Sequence, residues 1–168
     1  PDDVVKTFGA DSLRVFEMFL GPFESHLPWS TDGIVGSRRF IEKVWRLQDK
    51  WVDENSLDGK AQDIFFSDLE KSVNQNVISP EKALHKTIKK VASDIENFKF
   101  NTAVSALMIL VNTWESAVST GYKIKKEDFK TFLQLLTPFA PHITEELWRE
   151  VLCEEGSIHL SSWPKPNE

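Results

Sequence analysis

Apolar residues recur at intervals of three and four along most of this chain, the period of helices that bury one face and leave the other in water. Leu13, Phe16 and Leu20 share one side of a short predicted helix through LRVFEMFL, with Asp11 as its N-cap and Gly21-Pro22 as its stop. The stretch FESHLPWSTDG that follows reads as a loop. A second helix is predicted from about Gly33 to Trp51. Ile34, Phe40, Ile41, Val44, Trp45, Leu47 and Trp51 fall on one side of it, and Arg39, Lys43, Arg46 and Lys50 form a stripe well round the helix from them. Trp45 and Trp51 lie on the apolar side and are assigned to packing.

Residues 52–79 carry a weaker pattern: VDENSLDGKAQ reads as an acidic loop, and DIFFSDLEKSV as a weak amphipathic helix with Ile64, Phe65, Leu69 and Val73. Ser79-Pro80 then sets a helix start, an N-cap followed by proline at the first helical position. The core face of that helix is Leu84, Ile88, Val91, Ile95 and Phe98; Lys82, Lys86 and Lys89 lie nearly opposite, a second basic stripe. Asn101 is expected to cap the next helix, whose AVSALMILV run is apolar on almost every side, as for an element surrounded by neighbours. GYKIKKEDF is a basic turn, Glu127 to Leu136 a further helix ended by Pro138, and Pro141 opens the last helix with Ile143, Leu147, Val151 and Leu152 inward. Beyond Gly156 the pattern allows at most a short strand and a tail. The fold class is all-α, a helical bundle with at most a short terminal strand.

Composition adds a core and removes several chemistries. At 168 residues, 40% hydrophobic, with six Trp and twelve Phe, the chain can bury a single-domain core. Its net charge of −6 means that any nucleic-acid contact must come from local Lys/Arg stripes. The single cysteine, Cys153, excludes an internal disulfide and fits a reducing compartment, so the expected location is cytoplasmic. No apolar run approaches the roughly 20 residues that cross a bilayer, and PDDVVKTF is too polar for a signal peptide, so no membrane partner is expected. A first residue that is Pro1 rather than Met suggests excision from something longer. The histidines at 26, 85, 142 and 159 sit on separate predicted elements and no His or Cys pair has ligand spacing, so no metal is expected. The glycines match neither dinucleotide nor P-loop spacing, and no serine stands in a nucleophile elbow. No catalytic residue and no cofactor is expected within the chain.

GADSLRVFEMFLGP (9–22) resembles the segment that follows the KMSKS loop in class I aminoacyl-tRNA synthetases, in the form typical of leucyl enzymes. The resemblance continues, in family order, through TDGIVGSRRFIEKVWRL (31–47), HKTIKKVASDIENFKFNTAVSALMILVN (85–112), LLTPFAPHITEELW (135–148) and SIHLSSWP (157–164). Isoleucyl and valyl enzymes are similar in the first and fourth segments, whereas the RRFIEKVWRL and FNTAVSALM helices together look leucyl. Residues 52–79 match no family pattern and read as an insertion at the bundle end.

The resemblance implies a stem-contact connector over 1–31, an anticodon-binding-type helical bundle over 32–153, and a tail at 154–168 leading to a further small domain. The parent would ligate leucine to its tRNA through leucyl adenylate, with ATP, accompanied by magnesium, as a substrate, in a catalytic domain of the same polypeptide that carries the HIGH and KMSKS signatures; the fragment itself is expected to be inactive and monomeric. Its partner would be a leucine-specific tRNA. Leucine tRNAs carry several anticodons, so the resemblance implies docking through phosphates and sugars, which position without specifying sequence. Arg39 and Lys43 are the first candidates. Lys43 stands where the family often has arginine, which gives up bidentate phosphate pairing. Arg46, Lys86 and Lys89 come second. Two other readings stand beside this one. One is the equivalent bundle of an isoleucyl or valyl enzyme; the other is a helical protein-interaction module using the acidic last helix (Glu145, Glu146, Glu150, Glu154, Glu155) and the apolar stretch Ile64–Val73.

Overall fold

The structure, a computed structural model, describes residues 2–22, 24, 28–52 and 79–166, so the acidic loop and weak helix expected within 53–78 lie outside the described residues. Seven helical segments are described: α1 (Asp2–Phe8), α2 (Ala10–Phe19), α3 (Thr31–Arg46), α4 (Pro80–Glu96), α5 (Phe100–Ser119), α6 (Lys126–Leu136) and α7 (Pro141–Glu146). The last runs on into a π turn over Leu147–Val151, where the Leu152 amide donates to the Leu147 carbonyl at 3.0 Å. Among the described residues the only sheet is two residues wide, β1 (Trp51–Val52) lying parallel to β2 (Ile124–Lys125). The chain is all-α in class. The strand pair is not at the terminus: the SIHL segment instead forms a 3-10 turn over Ile158–Leu160, pinned when Glu145 Oε2 accepts from Ser157 Oγ (2.9 Å) and the Ile158 amide (3.0 Å).

Serine caps open two of the helices: the Ser79-Pro80 start is as expected, whereas Ser30 lies in the stretch read as a loop and starts α3 at Thr31, ahead of the expected Gly33. Ser30 accepts from the Gly33 amide and Ser79 from the Lys82 amide, both at 3.3 Å, and Pro80 takes the first position of α4. Two other expected caps are elsewhere. α2 begins after Gly9, whose φ of 87° turns the chain sharply out of α1, and Asp11 sits inside its first turn. α5 begins at Phe100 after Lys99, placing Asn101 within the helix. α4 ends on Phe98 in the left-handed region, φ 55°, with the Lys99 amide closing onto the Asp94 carbonyl at 2.7 Å.

The three-residue link 97–99 makes α4 and α5 an antiparallel hairpin. Its open end is tied where Trp114 Nε1 donates to the Pro80 carbonyl at 3.4 Å. α5 is the core helix: Ala103, Val104, Leu107, Leu110, Val111 and Trp114 are buried against α2, α3, α4 and α6, and the last supplies Phe129, Phe132, Leu133, Leu135 and Leu136, all fully buried. It is not surrounded, however. Ile109 is 65% exposed, and with Asn112 and Ser116 it forms an outward strip at spacings of three and four. An apolar sequence on all sides did not reveal that Ile109 and Ser116 turn outward while Asn112 between them accepts from Lys43 of α3.

Gly33 sets how closely α3 approaches α2. A Cβ there would lie 2.5 Å from Cε2 of Phe16, whose ring is buried edge-on to Trp29 at a 5.1 Å centroid distance. Gly33→Ala is therefore expected to lower stability by about 1–3 kcal/mol through overpacking. Urea unfolding would measure it, and a change under 0.5 kcal/mol would show that the ring yields freely.

Candidate nucleic-acid interface

The five candidate cations divide according to what already holds them. Lys43 points from α3 onto α5, where its ammonium lies 2.6 Å from Glu115 Oε2 and 2.7 Å from Asn112 Oδ1, with about a third of both charged side chains exposed. Its charge is largely answered within the protein, so Lys43 fastens α3 to α5 first and meets a ligand second. Arg39, Arg46, Lys86 and Lys89 are exposed, and among the described residues no hydrogen bond or ion pair engages them. Their charge is available to phosphates.

Neighbouring cations that look equivalent in sequence are occupied. Arg38 donates to Glu42 Oε1 (2.9 Å) and to the Phe8 carbonyl (3.1 Å), joining α3 to the end of α1. Lys90 pairs with the buried Asp94 carboxylate, which also accepts from Thr102 Oγ1 at 2.7 Å. Sequence spacing held the signal for both, since Arg38–Glu42 and Lys90–Asp94 are i,i+4 pairs. Lys43–Glu115 had none.

One residue of each stripe approaches α5. Lys43 reaches α5 at Asn112 and Glu115, while Lys86 lines a groove of about 370 Å³ with Ile109 and Thr113 of the same helix, so basic residues of α3 and α4 flank the outward strip of α5. The acidic last helix is less free than its composition suggests. Glu145 holds the 157–158 turn, and Glu154 pairs with Lys126 (3.5 Å) and Lys130 (3.1 Å). Lys130 also loses solvation on burial, but its hydrogen bonds and attraction to Glu154 and Glu127 outweigh this and hold its ammonium above the usual lysine range. Ile64–Val73 lies outside the described residues. Trp45, assigned to packing in the sequence, is 41% exposed.

Among the described residues no group of three His, Cys, Asp or Glu side chains could hold a metal ion, and no helix is long and apolar enough to cross a membrane. What the surface offers is fixed positive charge on helices, which suits phosphate contacts.

Residues 81–168, just over half of the chain, match the family described as the anticodon-binding domain of tRNA ligase. The chain belongs to that anticodon-binding family. Similar proteins cover all of it. A leucine–tRNA ligase of Alkaliphilus oremlandii is 45% identical over 98% of the chain, and those of Leptospira biflexa and Porphyromonas gingivalis are 43% and 44% identical over its whole length. The chain spans only 16–18% of these relatives. Among solved structures, the ternary complex of Agrobacterium radiobacter K84 AgnB2 LeuRS with tRNA and LeuAMS superposes with a TM-score of 0.72 at 25% identity, covering 99% of this chain and 21% of that one. The anticodon-binding domain match begins at the start of α4 and takes in the tail beyond Glu154. This agrees with the burial of Ile158 against the bundle.

Proposed function

We propose that this anticodon-binding domain chain is the tRNA-docking part of a leucine–tRNA ligase, which charges a leucine tRNA with ATP and magnesium in a catalytic domain outside these residues. The observation that carries the reading is the 45% identity to a leucine–tRNA ligase over 98% of the chain. In this reading residues 1–31 connect to the catalytic domain, 32–153 form the docking bundle and 154–168 lead onward. The fragment alone performs no aminoacylation and works as a monomer in the cytoplasm. Arg39, Arg46, Lys86 and Lys89 grip phosphates, and Lys43 keeps α3 and α5 in register beneath them.

In the full-length ligase, Arg39→Glu with Arg46→Glu is expected to lower kcat/KM for tRNA charging by about tenfold or more, because two phosphate contacts become repulsions. Leucine-dependent ATP–pyrophosphate exchange, which needs no tRNA, should stay within about twofold. Unchanged charging would remove α3 from the docking surface. An equal fall in both rates would place the two arginines in fold or domain assembly instead.

A further inference from the structure

α3 and the start of α7 leave between them a cleft of about 510 Å³ lined by Arg38, Ile41, Glu42, Trp45, Arg46 and Ile143. Three features mark it as more than a seam between helices. Trp45 turns 41% of its surface outward, as Trp29 (53%) and Trp163 (41%) also do, whereas Trp114 and Trp148 are buried. The single carboxylate in the lining, Glu42, is held by Arg38 at 2.9 Å, and this leaves Arg46, unengaged among the described residues, as a net positive charge at the cleft on a chain whose net charge is −6. Arg39 extends the same positive character along α3. Ile41 and Ile143 supply an apolar floor.

We propose that this cleft is a nucleotide subsite, in which an unpaired base of the docked tRNA lies against the Trp45 indole while Arg46 holds an adjacent phosphate. An apolar indole face beside a free guanidinium matches the two halves of a nucleotide, a π surface and an anion, better than it matches a purely apolar side chain. Stacking of this kind tolerates any base, so the subsite positions the tRNA without reading its sequence. The inference rests on the tRNA-docking reading above, and the variants below separate the two.

A leucine-accepting tRNA transcript is titrated into the full-length ligase at several salt concentrations, with Trp45→Ala, Trp45→Leu, Trp45→Phe, Arg46→Gln and the Arg39→Glu/Arg46→Glu pair compared. Trp45→Ala and Trp45→Leu are expected to weaken binding by about tenfold with the salt dependence unchanged, since losing one stacked base releases no counterions. Trp45→Phe, which keeps a π face, should stay within about threefold. Arg46→Gln should lower the slope of log affinity against log salt by about one. Trp45→Leu keeps the bulk and apolar contact, so it decides the matter even if the alanine variant misfolds. If Trp45→Leu binds like the unaltered protein while the double arginine variant has lost binding, the base subsite is wrong. If the double variant binds normally, the docking reading itself falls.

Discussion

Trp114→Ala is expected to destabilise the chain by about 3–5 kcal/mol, enough to unfold a domain of ordinary stability at modest denaturant. The indole is 1% exposed and sits where three helices meet. It belongs to α5, meets Phe132 of α6 edge-on at 5.3 Å, and reaches the Pro80 carbonyl at the start of α4. Truncation leaves a cavity that helices on three sides cannot fully collapse, and it removes the indole donor that ties α5 to the start of α4. Trp114→Phe keeps the ring packing and loses the hydrogen bond, so about 1–2 kcal/mol is expected. Guanidinium unfolding followed by circular dichroism separates the two. A loss under 2 kcal/mol for the alanine variant would mean that the α4–α5–α6 junction repacks freely.

Asp11→Ala is expected to cost about 3 kcal/mol, well above the roughly 1 kcal/mol of an ordinary exposed helix cap. Asp11 does not cap its own helix. Its carboxylate, 9% exposed as a side chain, accepts from the Ile143 amide at 2.7 Å and the His142 amide at 3.3 Å. It thereby caps α7 from α2 and answers the positive end of that helix. Removing it strands two amides at the start of a short helix. His142 Nδ1 also lies 2.8 Å from the same carboxylate, but that side chain is 73% exposed, so His142→Ala should change stability by less than about 0.5 kcal/mol. Comparable losses for Asp11→Ala and His142→Ala would show that the ion pair, not the cap, matters.

Most helices could be read from the sequence because their signals are local. Ser79, Pro80 and Pro141 announce starts, and the steps of Leu84, Ile88 and Val91 announce a buried face, whereas the Ser30 cap sits in a stretch read as a loop. The end of α4 was harder. Phe98 takes the left-handed conformation where glycine is usual, so no residue type marks the turn. The π turn after Glu146 is likewise silent in sequence.

The candidate cations could be placed on their helices from the sequence, but not the partners they meet. Arg39, Lys43, Arg46, Lys86 and Lys89 are all on the surface of their helices as expected, yet one of the two first choices, Lys43, is clasped by Glu115, seventy-two residues away in sequence. Periodicity places a side chain on one side of its own helix and is blind to what that side meets. Trp45 shows the same limit in reverse, assigned to the apolar side yet 41% exposed.

The sequence by itself determined a helical bundle, its principal helix starts and, through ordered motifs, its family, because capping, period and motif order are written in near neighbours. Only the tertiary structure decided which cations are free for a phosphate, that Asp11 caps a helix 130 residues away, and that Trp45 and Ile109 face outward. Each of these depends on which helices pack together, and contacts between residues distant in sequence leave no trace in the spacing along either helix.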